Sequence, residues 1–223
     1  MSKLREFVKL DYFTVKPYFT VKNLLIYGAM VLFLSIMSAN ISAGISIGVM
    51  LATMHTGYPF IAGEKCNMDA LYVTLSAGKK TVVLGRYIFT LLLNICVVLA
   101  VFAFSIIVML AYGIFGHEFQ VAVSGDVLLF MPALFMALQA VQLTLYFKFG
   151  YAKAKFASII PFAALMAGYI VLTGFLGGIS GAAETLDNIF ADRFVYIAVG
   201  AAFLVIVFAS YRLSLAFYKN REF

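Results

Sequence analysis

Six apolar runs dominate the pattern of hydrophobic and polar positions, at residues 23–40, 41–62, 88–115, 127–146, 157–179 and 194–215. At ~1.5 Å of rise per helical residue, each is long enough to cross a hydrocarbon core ~30 Å thick. The pattern predicts six membrane-spanning helices joined by short segments. Ahead of the first run, Leu4, Phe7, Val8, Tyr12 and Val15 recur at helical spacing, with Lys3, Arg5, Glu6, Lys9 and Asp11 interleaved. That is an amphipathic surface helix within residues 1–22. A cleavable signal peptide would need one uninterrupted apolar stretch. Pro17 ends or bends this helix.

Between the second and third runs the order changes. Glu64, Lys65, Asn67 and Asp69 come first, then an apolar cluster of Leu71, Tyr72, Val73 and Leu75, then Ser76, Ala77 and Gly78 before Lys79 and Lys80. A polar start and an amphipathic body predict a short helix within residues 63–80, held parallel to the membrane.

Charge then orients the chain. Of its 16 cations, only Arg193 falls on one side of a six-helix threading, whereas Glu118, Asp126, Glu184, Asp187 and Asp192 share that side with it. Cationic loops resist translocation, so both termini are expected in the cytosol. Composition agrees: 64% hydrophobic residues, 12% charged and a mean hydropathy of +1.03 describe a chain whose solvent is lipid. A pI near 9.3 therefore needs no nucleic acid to explain it. Cys66 faces the reducing cytosol and Cys96 lies in an apolar run, so no disulfide framework is implied. Trp is absent, which leaves Tyr and Phe to form the interfacial belt.

Catalytic chemistry has no foothold: no Ser-His, Asp-Asp or His-rich spacing is present, and His55 and His117 stand too far apart to ligate a metal. The segment 76–81 fails the phosphate-loop pattern, with Val73 where the first Gly is required and Lys80 in place of Ser or Thr. An ion-coupled carrier would need carboxylates within the membrane, and all ten acids lie at or beyond its edges. Polar side chains within the runs, Asn40, Asn94, Gln139 and Gln142, are the candidates for a substrate path. Gln139 and Gln142 share a helix face, a spacing that also suits hydrogen bonding between helices. His55 reads as a buried, satisfied imidazole. Gly44 with Gly48, and Gly174, Gly177, Gly178 and Gly181 at four-residue intervals, mark close helix packing.

The Glu-Lys pair at 64–65, Asn-x-Asp at 67–69, Leu-Tyr-x-Thr-Leu at 71–75, the basic pair at 79–80 and Gly-Arg-Tyr-Ile at 85–88 resemble the ABC-2 type permeases of ATP-driven exporters. So does the close of the chain, SYRLSLAFYKNREF. One departure is Leu75-Ser76-Ala77-Gly78, where relatives have Leu-Pro before a small residue and a basic pair. The resemblance implies a single all-α polytopic domain over residues 1–223, in a bacterial cell membrane. It implies a coupling helix at 64–75 whose Glu64, Lys65, Asn67, Asp69, Leu71, Tyr72 and Thr74 meet a cytosolic ABC ATPase, present in two copies beside two copies of this chain. ATP and Mg²⁺ would belong to that partner, with no cofactor and no catalysis on this chain. The glycines from Gly174 to Gly181 are then expected at the dimer interface. In character the chain is similar to membrane subunits that export phenol-soluble modulins, so a cationic amphipathic peptide or another hydrophobic substrate is the expected cargo. The alternative is a membrane immunity protein that sequesters such a peptide without moving it.

Overall fold

A computed structural model describes residues 2–38, 41–66, 68, 72, 78–114, 125–164, 167, 171 and 193–220. Among them the regular elements are helical: α1 Ser2–Val15, α2 Val21–Ser38, α3 Ile41–Thr56, α4 Tyr58–Lys65, α5 Lys79–Ile114, α6 Gly125–Phe149, α7 Tyr151–Ala157 and α8 Arg193–Lys219. A 3-10 turn at Lys16–Tyr18, with Pro17 inside it, separates α1 from α2.

Among the described residues two helices are long and apolar enough to cross a membrane, over Lys79–Phe104 and Ile197–Lys219, and Val21–Phe33 is a shorter apolar helix. Only 11% of the most apolar stretch of the last helix is buried within the chain. Ile197, Leu204, Val205 and Phe208 are each more than 60% exposed. The core helix of a water-soluble protein would hide such a face, so this one is built to meet lipid. The expected fifth span, 157–179, lies largely outside the described residues, as do Asn40 and the glycines Gly174, Gly177, Gly178 and Gly181.

The apolar run at 41–62 is not one helix. It stops at Thr56 and restarts at Tyr58. Pro59 sits in the first turn of α4, where a missing amide proton costs least. Gly57 stands at the junction, and its missing Cβ lets two tyrosines close on it: a Cβ there would lie 3.0 Å from Tyr151 and 3.3 Å from the Tyr146 hydroxyl. A second departure concerns residues 147–156, one of the short segments expected between apolar runs. α6 instead runs to Phe149, Gly150 turns the chain with φ 77, a value that favours glycine, and α7 follows at once.

Helix α5 is the spine. It packs against α1, α3, α6 and α8, while α3 also meets α2, α4 and α6. The main core gathers Phe7 of α1, Phe60 of α4, Val82, Val83 and Tyr87 of α5, Leu143, Tyr146 and Phe147 of α6, Ala154 of α7 and Tyr218 of α8. A smaller core joins Val31, Ile45, Val49 and Val101, where α2, α3 and α5 meet. The charged ends of six helices therefore converge on the larger core.

Gly48 sets the approach of α3 to α5, since a Cβ there would fall 2.5 Å from Val101 Cγ2. Val101 is β-branched and has little freedom to turn aside. Gly48→Ala is expected to cost about 1–3 kcal/mol through overpacking. The check is thermal unfolding of the purified chain, with Val101→Ala in the same background restoring most of the loss.

Candidate functional site

The site is assembled around Arg86, near the start of α5 and 4% exposed. Its Nε lies 3.2 Å from Oδ2 of Asp11, itself 1% exposed. Asp11 belongs to α1, where it shares a stripe with Phe7 and Val15 at four-residue spacing, all three buried. The guanidinium also lies 4.5 Å from the centroid of the Phe60 ring on α4 and donates to the Tyr72 hydroxyl at 3.5 Å, the outer limit for a hydrogen bond. Phe7 packs on the Tyr72 ring at 4.8 Å between centroids. Gly85 allows this docking, since a Cβ there would meet Phe7 at 3.3 Å. Three segments, α1, α4 and the one at Tyr72, thus converge on one buried cation of α5.

Glu64 and Lys65 are placed differently from expectation. They end α4, with its C-terminal cap at Cys66, instead of opening a separate coupling helix. The Glu64 carboxylate accepts hydrogen bonds from the backbone N–H groups of Tyr151 and Ala152, the latter at 3.0 Å. Those amides begin α7, where an acid is favoured by the unpaired donors and the helix dipole. Glu64 therefore ties one charged segment to the other. Lys65 and Cys66 stand exposed beside it, and Tyr72 is buried. Asn67, Asp69, Leu71 and Thr74 lie outside the described residues. The ends of α5 and α8 are also joined: Lys79 Nζ donates to the Lys219 carbonyl at 2.9 Å.

The polar residues within the spans face one another. Asn94 of α5 and Gln139 of α6 exchange two amide hydrogen bonds, 2.5 and 3.2 Å long, and both are buried. Gln142 donates to the Tyr146 hydroxyl at 2.8 Å, which in turn meets Ser158 at 3.1 Å. Below them Tyr87 bonds Ser210 and Ser214 at 2.7 and 2.9 Å, and Thr144 meets Ser210 at 2.6 Å, which laces α5, α6 and α8 together. In lipid such groups need internal partners, and these find them among one another, except the Gln142 Oε1, which has none among the described residues.

His55 lies apart from these networks. Its Nδ1 is 2.9 Å from the Leu51 carbonyl and its ring stacks on Phe19 at 4.9 Å, with Tyr27 and Tyr58 edge-on. Nε2 has no hydrogen-bond partner among the described residues. The ring borders an apolar cavity of about 280 Å³ between α2, α3 and α5.

Lipid-facing helices, a charged end where α4 and α7 are locked together, and polar groups paired within the spans define a membrane-embedded helical protein. The family model described as ABC-2 family transporter protein matches residues 6–219, and the chain belongs to that family. It is accordingly a permease component of an ABC transporter, whose ATPase is a separate subunit. No curated protein and no solved structure matches the chain.

Asp11 and Arg86 are the residues the sequence reading left without a role. An acid in register with Phe7 and Val15 was the available signal.

Burial pushes the Asp11 carboxyl from 3.8 up to about 6, and the Arg86 guanidinium pulls it part of the way back. The folded state holds this proton more tightly than the unfolded chain does. The resulting stabilisation is complete below the unfolded value and is lost as pH rises through the folded one. Asp11→Asn, which cannot ionise, is expected to flatten that part of the stability profile between about pH 4 and pH 7. Asp11→Ala leaves the guanidinium without its counter-charge and should cost about 3 kcal/mol at neutral pH. Thermal unfolding of wild type and both variants across the pH range checks the two statements. Separately, Glu64→Ala should cost about 1 kcal/mol, as capping residues do, and should speed hydrogen exchange at the Tyr151 and Ala152 amides.

Proposed function

We propose that this chain is the transmembrane permease subunit of an ATP-driven exporter, working as a homodimer with two copies of a cytosolic ATPase. Six spans with both termini in the cytosol place α4, the segment up to residue 75, and α7 on the ATPase side. The cargo is an amphipathic peptide or another hydrophobic molecule, as in the export of phenol-soluble modulins, and it crosses by alternating access.

The observation that carries this reading is the wiring of α4 in a chain of this family. Among the described residues its tip at Glu64, Lys65 and Cys66 is exposed, with Glu64 bonded to α7, while its body touches Arg86 through Phe60. A push on that tip has three routes into the membrane. It reaches α3 across the Gly57 break, α5 and α1 through Arg86, and α6 through Glu64 and the short α7. ATP and Mg²⁺ stay with the partner, whose closure supplies the push. The apolar cavity beside His55 and the mutual pairing of Asn94 with Gln139 support a hydrophobic cargo, since the enclosed surface offers few groups to a sugar or an inorganic ion.

Cys66 supplies the test, because it is a native exposed thiol at the α4 tip. In a Cys96→Ser background, a photoactivatable cross-linker on Cys66 is expected to capture an ATP-hydrolysing subunit from native membranes. With Cys66→Ser, the same reagent on Cys96 should capture none. The co-purified complex should hydrolyse ATP faster when amphipathic peptides are added. Purification of the chain alone, with no nucleotide turnover, would instead point to a protein that binds its peptide without transporting it.

A further inference from the structure

A second apolar space, larger than the cavity at His55, runs along the outside of α5 beneath α1 and has a volume of about 860 Å³. That lies within the range of pockets that enclose a small organic ligand. α5 forms one wall, beginning at Ile88 and ending at Ala100, and α1 forms the other with Leu4, Val8 and Tyr12. Two charged side chains line it, Arg5 and Lys9, both on α1, both exposed and both cationic. No acidic side chain lines it among the described residues. Leu92 is 45% exposed and Tyr12 49%, so the groove opens sideways.

We infer that this groove binds an anionic phospholipid of the leaflet nearest the termini, its phosphate at Arg5 and Lys9 and an acyl chain along α5. The inference rests on the membrane reading of α5, and three observations select the occupant. From Ile88 to Ala100 the α5 wall spans roughly 18 Å, close to half of a ~30 Å hydrocarbon core and so to the reach of one leaflet's acyl chain. The apolar lining matches such a chain, and the two cations sit on the surface helix, where a phosphate would lie. Cations attract anionic headgroups by about five-fold each near a membrane surface, and they repel the cationic amphipathic peptide that is the expected cargo. The groove therefore selects lipid over cargo. It also shares Phe19, Leu24, Leu93, Val97 and Ala100 with the cavity at His55, so an occupant touches the wall of that cavity.

The chain contains no Trp, which makes the test direct. Leu92→Trp places a single reporter in the groove, Ile88→Trp a second on the same wall, and Leu204→Trp a control on the exposed face of α8. Each variant is reconstituted in vesicles of phosphatidylglycerol and phosphatidylcholine in equal amounts, with bromine on the chains of one lipid or the other. Quenching at the two groove positions is expected to show a roughly 25-fold preference for phosphatidylglycerol over the control, and Arg5→Gln with Lys9→Gln is expected to abolish it. Equal quenching by both lipids in the groove overturns the proposal. So does a preference that survives loss of the two cations, or one that an added amphipathic peptide displaces. If the control on α8 is quenched by neither lipid, the membrane reading of that helix falls, and the lipid site falls with it.

Discussion

A guanidinium buried at the start of the longest helix has to be compensated, and Arg86 is compensated by segments that are otherwise distant in the chain. Asp11 arrives from α1, Phe60 from α4, and Tyr72 from the segment between α4 and α5. An ion taken out of water costs several kcal/mol, so each of these groups is held where the cation needs it. The arrangement of the charged end follows from that need. α1 is docked on α5, α4 lies against both, and Glu64 at the tip of α4 is left positioned to cap α7.

The middle of the bundle obeys a related rule with neutral groups. Asn94 and Gln139 exchange donors and acceptors across α5 and α6, and the hydroxyls of Tyr87, Thr144, Ser210 and Ser214 form a closed set between α5, α6 and α8. Apolar side chains give no preference for a neighbouring helix over lipid tails, so hydrogen bonds and close packing decide which helices meet. Gly48 against Val101 is the packing half of that division between α3 and α5.

Much of this was legible in the chain. Long apolar runs announced α5 and α8, and helical spacing announced α1. The charged segment after residue 62 carried the family resemblance that the family model bears out. What hydropathy does not encode is where a helix breaks when the apolar run continues through it. Tyr146 and Tyr151 close on the junction at Gly57 from elsewhere in the chain, and the run from residue 41 to 62 passes over it unchanged. The contact that Glu64 makes within the chain was not legible for the same reason. Its acceptors are satisfied by amides 87 and 88 residues away, a pairing that no local spacing announces.

Asp11 was visible as an acid within an apolar stripe, and its meaning lies in register more than in strength. A buried ion pair adds little net stability compared with well-packed apolar side chains, and its best-attested use is to favour one register over its neighbours. Sliding α1 by one turn along α5 would set Phe7 or Val15 against Arg86 and leave the guanidinium without a counter-charge. An all-apolar stripe of Phe7, Val15 and a third aliphatic would tolerate that slip. The pair therefore fixes where Leu4, Arg5, Val8 and Lys9 stand relative to Ile88 and Leu92, and with them the walls of the groove beneath α1. Arg86 also touches Phe60 and Tyr72, so α1, α4 and the segment at Tyr72 meet on it. The shape of that groove and the position of the α4 tip are thus linked through one side chain.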